Sequence, residues 1–167
     1  MERISKHISY LEAARSNTAD RYGIKNTPNT PQLINMKKLA ENVFEPTREH
    51  FGKAIYVSSF FRSKEVNEKI KGSNSSQHLC NNGAAIDMDA DVYGGMTNID
   101  IFNYIKHNLD FDQLIVEDVK EGKAEWIHVS YVNKHKNRNQ ILIMHRQSGK
   151  TTYEVYTPER LKELLAN

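Results

Sequence analysis

The chain has one cysteine, one tryptophan, no long apolar run and no marked excess of charge of either sign. Each shortage removes a class of protein. The lone Cys80 excludes an intrachain disulfide framework and a multi-cysteine zinc site, although its place two residues after His78 leaves contact with a metal open. No apolar stretch is long enough to span a bilayer, and Met1-Glu2-Arg3-Ile4-Ser5-Lys6-His7 lacks the apolar core of a signal peptide. The protein is therefore expected to be made in a cytoplasm without membrane insertion. Lys and Arg number 23 against 21 Asp and Glu and are spread along the chain, so no electrostatic footprint for nucleic acid is expected. The densest basic run, Lys134-His135-Lys136-Asn137-Arg138, reads as a solvated loop between two strands.

At 167 residues, 38% of them hydrophobic, the chain suits one cored domain. The pattern predicts an α+β fold: a single domain whose small antiparallel sheet carries the functional residues between flanking helices. A helix is expected from about Ile8 to Tyr22, closed by Gly23. A second carries Leu33, Met36, Leu39, Ala40 and Val43 on one face and bends or ends near Pro46. Ala54 to Phe60 reads as a strand that delivers Arg62, and Lys64 to Ile70 as a short helix stopped at Gly72. Downstream, Ala84 to Met88 is a strand and Ile99 to Leu109 a helix. Gln113–Glu117 and Trp126–Tyr131 form a hairpin about Gly122. Residues 139–145 and 151–156 form another about Ser148-Gly149-Lys150. Thr157 caps a last helix with Pro158 at its first position. No repeat or linker stands out.

What is present in place of cysteines is a dispersed set of imidazole and carboxylate donors. Ser76-Gln77-His78 is followed by Gly83-Ala84-Ala85-Ile86-Asp87 and later by Glu125-Trp126-Ile127-His128. A catalytic zinc takes three protein ligands and keeps one position for water, whose pKa falls towards roughly 7. His78, Asp87 and His128 offer two neutral imidazoles and one carboxylate for that purpose. Gly83 allows the chain to turn, and Ala84 and Ala85 do not crowd the site. His128 in a strand shares its face with Trp126 and Ser130. The other histidines, His7, His50, His107, His135 and His145, sit in no comparable motif. Trp126 and Tyr131 read as packing groups.

These motifs, together with Ser58-Ser59-Phe60-Phe61-Arg62-Ser63, Val66-Asn67, Gly72, Phe111 to Glu117 and Trp126 to Tyr131, resemble the zinc D-alanyl-D-alanine carboxypeptidases and related phage endolysins, the VanY-type peptidases with the hedgehog/DD-peptidase fold. Asn26-Thr27-Pro28 and the helix from Leu33 to Phe51 resemble the leader of the phage and prophage branch. The resemblance implies a helical leader, 1–52, packed on a catalytic core, 53–167. It implies Zn2+ held by His78, Asp87 and His128, Arg62 on a substrate carbonyl or carboxylate, and Ser76 and Gln77 lining the cleft. It implies a peptidoglycan stem peptide as partner, cut as by a D,D-carboxypeptidase or an endolysin-like endopeptidase acting on the wall after release.

One departure stands out: the family spacing from first histidine to aspartate is about seven residues and is two longer here, which keeps Asp89 as a reserve ligand. For the general base, Glu125 ranks first because it stands three residues before His128, as in VanX-like relatives. Glu117 ranks second, at a position where hedgehog relatives also carry a glutamate. Strict alternation sets Glu125 on the face opposite His128, unless a bulge near the hairpin turn re-aims it. Two alternatives stay open: a non-catalytic cell-wall or virion binding module, and a metal-stabilised interaction protein on the same fold.

Overall fold

The computed structural model describes residues 3–166. Two short helices, α1 (Tyr10–Ala14) and α2 (Asn17–Tyr22), replace the single one expected there. The break follows from two serine caps: Ser9 Oγ accepts from Glu12 N, and Ser16 Oγ accepts from Ala19 N, so Arg15 and Ser16 turn extended between them. Gly23 closes α2 at φ 64°, as the sequence predicts. Next, α3 (Thr30–Leu39) begins with a capping box between Asn29 and Gln32, then widens into a π turn over Ala40–Phe44 and resumes as α4 (Glu45–Phe51). Pro46 is the cause. It has no N–H to continue the ladder, and the wider turn, with Thr47 Oγ1 donating to Val43 O at 2.7 Å, carries the helix past it.

The remaining elements follow in order: β1 (Tyr56–Ser59), α5 (Lys64–Lys69), a 3-10 turn at Gln77–Leu79, β2 (Ala84–Asp89), α6 (Asn98–Asn108), β3 (Gln113–Lys120), β4 (Lys123–Tyr131), β5 (Gln140–Gln147), β6 (Lys150–Val155) and α7 (Pro158–Leu165). Both hairpins close through two residues with positive φ, Glu121-Gly122 and Ser148-Gly149, the primed turns whose twist matches the strands. All six strands make one sheet in the order β1-β2-β4-β3-β5-β6. Unlike the all-antiparallel sheet expected, it contains one parallel pair, β3 with β5. The long return through 132–139 carries the chain back to the start of β3, so β5 runs the same way.

The two faces of the sheet have different fates. Ile86, Met88, Leu114, Val116, Ile127, Val129 and Ile143 point to one side and are buried under α3 and α6, against Met36, Leu39, Phe44, Ile101, Phe102 and Ile105. The residues between them, including Asp87, Glu117 and His128, point to the other side, which no helix covers in this way. Among the described residues no helix is long and apolar enough to cross a membrane.

Candidate metal centre

Strand register builds the centre. Asp87 on β2 lies directly opposite His128 on β4, so their side chains leave the sheet together, with Asp87 Oδ1 2.8 Å from His128 Nδ1. His78 comes from the 3-10 turn, and its Nε2 is 3.2 Å from the same oxygen. The three ligand atoms lie within 4.8 Å of one another, the only such group of His, Cys, Asp and Glu found among the described residues. The longer spacing between His78 and Asp87 is absorbed in 79–82. There Gln32 Nε2 donates to Leu79 O and Asn81 Oδ1, and Asn35 Nδ2 to Cys80 O, clamping the loop to α3. Gly83 completes the return at φ 89°, where a Cβ would come 2.6 Å from Tyr131 O.

His78 is fixed from three directions. Its Nδ1–H donates to Phe60 O at 2.7 Å, which leaves Nε2 as the free donor for a cation, the arrangement that orients metal-binding imidazoles. Its backbone carbonyl accepts from Arg62 N at 2.9 Å, and Ser76 Oγ accepts from its N–H. Burial lowers the His78 pKa below its ordinary value, so the ring is neutral at pH 7. Burial alone would raise Asp87, but His78 and His128 hold it well below the usual carboxylate range. Two imidazoles and an ionised carboxylate are a donor set that fits a zinc ion, and His78 and Asp87 have outer hydrogen bonds in place.

Arg62 reaches the same carboxylate from the other side. Nη2 donates to Asp87 Oδ2 at 2.9 Å and Nε to Ser59 Oγ at 3.0 Å, so Asp87 Oδ1 is left turned to the histidines. The Arg62 loop is tied to the leader by Asn26, whose Nδ2 donates to Ala14 O and Phe61 O and whose Oδ1 accepts from Ser63 N. Gln77 Nε2 donates to Asp112 Oδ2 at 3.0 Å. Asp112 is buried and also takes Arg138 Nε and Nη2, at 2.9 and 2.6 Å, so the last residue of the basic run, exposed as expected, is also anchored. Neither Asn26 nor Asp112 stood out as a functional residue from sequence. Both lie within the stretches that resemble the family, but nothing in local spacing says what they hold.

The remaining candidates divide. Asp89 shares the face of Asp87, but its Oδ1 accepts from Asp91 N and Asn98 Nδ2, and it lies outside the cluster. Burial pushes the Cys80 thiol up to about 12, and its Sγ donates to His78 O instead of joining the donors. Glu125 is exposed, 3.4 Å from Lys120 Nζ at the hairpin end. The irregularity expected beside it falls on the partner strand, at Asp118 with φ 53°. Glu117 is part-buried on the metal face, opposite Trp126 and one strand from His128. Burial raises its carboxyl to about 7, Asp87 adding to the effect and His128, Arg146 and Arg62 opposing it.

A buried imidazole, carboxylate and second imidazole on the uncovered face of a sheet, with an arginine and a glutamate beside them, are a donor set that could hold one metal ion for hydrolysis. Residues 6–130 match the family described as peptidase M15, and the chain belongs to that family, the zinc D-alanyl-D-alanine carboxypeptidases and VanY-like peptidases. It is a metallopeptidase. No curated protein matches it.

Proposed function

We propose that this metallopeptidase hydrolyses a peptide bond in the stem peptides of bacterial peptidoglycan, as a D,D-carboxypeptidase or an endolysin-like endopeptidase, with Zn2+ held by His78, Asp87 and His128 and Glu117 as general base. The observation that carries this reading is the convergence of the three donors with Glu117 on one uncovered face. Zinc held by these residues would supply a Lewis acid for the scissile carbonyl and would lower the pKa of water towards about 7.

The chain's own residues do the rest. Arg62 Nη2 keeps Asp87 oriented, and the outer edge of the same guanidinium is free to donate to the substrate carbonyl as charge develops on its oxygen. Glu117, on the same face as the three donors, takes a proton from the attacking water on a carboxylate oxygen and returns it to the leaving amine. Glu125, which ranks first on spacing, is passed over because its carboxylate is directed to Lys120. Asp112 holds Gln77, and through it the turn that carries His78.

Defined muropeptides incubated with zinc-loaded protein and followed by mass spectrometry test the proposal. Loss of a single terminal alanine identifies the carboxypeptidase, and two peptide fragments identify the endopeptidase. Muropeptides left intact, with zinc stoichiometrically bound, would favour the non-catalytic binding module.

A further inference from the structure

The face of the three donors carries a second arginine, which enters the chemistry above only as a charge opposing the rise of Glu117. Arg146 lies near the end of β5, and its guanidinium sits over the ring of Trp126, 5.3 Å from the centroid. Trp126 is two residues from His128 on the same face of β4, and it pairs with Glu117 across the hairpin. Across the sheet the order is therefore Arg62, Asp87, His128, Glu117 and then Arg146. Tyr153, on the edge strand β6, borders the same area through the row Glu117, Met144, Tyr153 and is 57% exposed.

The two arginines differ in what occupies them. Arg62 is committed to Asp87 and Ser59. Arg146 donates its backbone N–H to Asp118 Oδ1, but no carboxylate among the described residues lies within ion-pair distance of its guanidinium. Asp118 already takes Lys120 Nζ at 2.6 Å. A guanidinium held over an indole by cation–π attraction, with no carboxylate of its own, keeps N–H donors that can grip a carboxylate with two parallel hydrogen bonds.

We infer that Arg146, held by Trp126, is a specificity-determining residue that binds a carboxylate of the peptide substrate on the β5–β6 side of the metal. This rests on the peptidase reading and narrows its substrate class to acidic peptides. β5 lies two strands, about 10 Å, from β4, and Arg146 lies about four residues, roughly 13 Å, along the strands from the row of His128, so the two backbone positions are ~16 Å apart. An extended chain covers that distance in about five residues, so the carboxylate lies within about five residues of the scissile bond. A free C-terminus and the α-carboxylate of a γ-linked glutamate both meet that condition.

Three peptides separate these sources: acetyl-L-lysyl-D-alanyl-D-alanine, its C-terminal amide, and L-alanyl-γ-D-glutamyl-L-lysine amide. Trp126 is the only tryptophan, so its fluorescence reports binding at the stacked arginine directly. In the zinc-loaded wild type, at least one of the two acidic peptides is expected to bind roughly 10- to 100-fold more tightly than the uncharged-end amide. Arg146→Gln should erase that preference in Kd while leaving the weak binding of the amide unchanged. Arg146→Lys should restore part of it. Which acidic peptide loses affinity identifies the carboxylate. Wild type and Arg146→Gln with the same preference overturn the inference, whether or not peptides are cut. Arginine-dependent binding without cleavage of any peptide upholds it and fails the peptidase reading instead.

Discussion

The face that carries the His78, Asp87 and His128 cluster has two halves built to different standards. On the β1, β2 and β4 side, His78, Asp87 and Arg62 are buried or nearly so, and each is held by at least two hydrogen bonds from a different segment. On the β3, β5 and β6 side, Glu117 is part-buried, Arg146 has an indole for company, and Tyr153 and Val155 are exposed. A cation needs its donors placed in advance to fractions of an ångström, whereas a peptide arrives with its own groups and needs partners left free. The tightly held half suits the first need and the sparsely tied half the second.

The sharpest way to break this contrast is to remove the carboxylate at the centre of the held half. Asp87→Ala should abolish stoichiometric zinc in metal analysis and reduce turnover to background, because it removes one ligand and frees the other two from their common partner. Full zinc occupancy in that variant would show that the half is not a metal site.

Glu117→Gln comes next, with kcat expected to fall about 10²- to 10⁴-fold while zinc is retained. The same variant carries a stability signature. In the metal-free protein the Glu117 carboxyl is raised from 4.5 to about 7, so the folded state holds the proton more tightly than the unfolded chain. That contribution is fully present below about pH 4.5 and is lost as pH rises through about 7. It amounts to on the order of 2 kcal/mol. Urea melts of the metal-free wild type and variant should therefore diverge across that window, and parallel curves would remove Glu117 from the site.

A subtler blow to the held half is Asp112→Asn, which keeps shape but weakens the grip on Arg138 and Gln77. A loss of about 2 kcal/mol in stability is expected, with zinc affinity down roughly tenfold as the His78 turn loosens. If calorimetry shows the stability loss but zinc titration shows none, Asp112 supports the fold without positioning the ligand. The smallest effect belongs to Glu125→Gln, where an exposed ion pair with Lys120 is worth less than about 1 kcal/mol and kcat should stay within about twofold. A large fall in kcat there, with Glu117→Gln active, would exchange their roles and move the base to the hairpin end.

Much of this molecule is legible along the chain because it depends on neighbours in sequence. Period-two alternation marks Ile127, His128 and Val129 as inward, outward and inward, and Gly23, Gly122 and Gly149 mark turns that need positive φ. That His78, Asp87 and His128 would cluster is legible too, since few residue types make a candidate metal site and the chain spaces them among small residues and strands. The break at Ser16 was readable in principle, as a serine three residues before a backbone N–H it could cap, but the apolar spacing across it masked it.

What the chain could not settle were distances across the sheet. Whether Glu117 or Glu125 meets the metal face depends on the β3–β4 register and on the twist at Asp118. The direction of β5 depends on where residues 132–139 return. The partner of Gln77 is 35 residues away. Local sequence fixes which way a side chain leaves its own strand, because sterics act between adjacent residues. Which charge it then faces is decided only when strands and loops far apart in sequence pack, because register and burial are properties of the whole sheet.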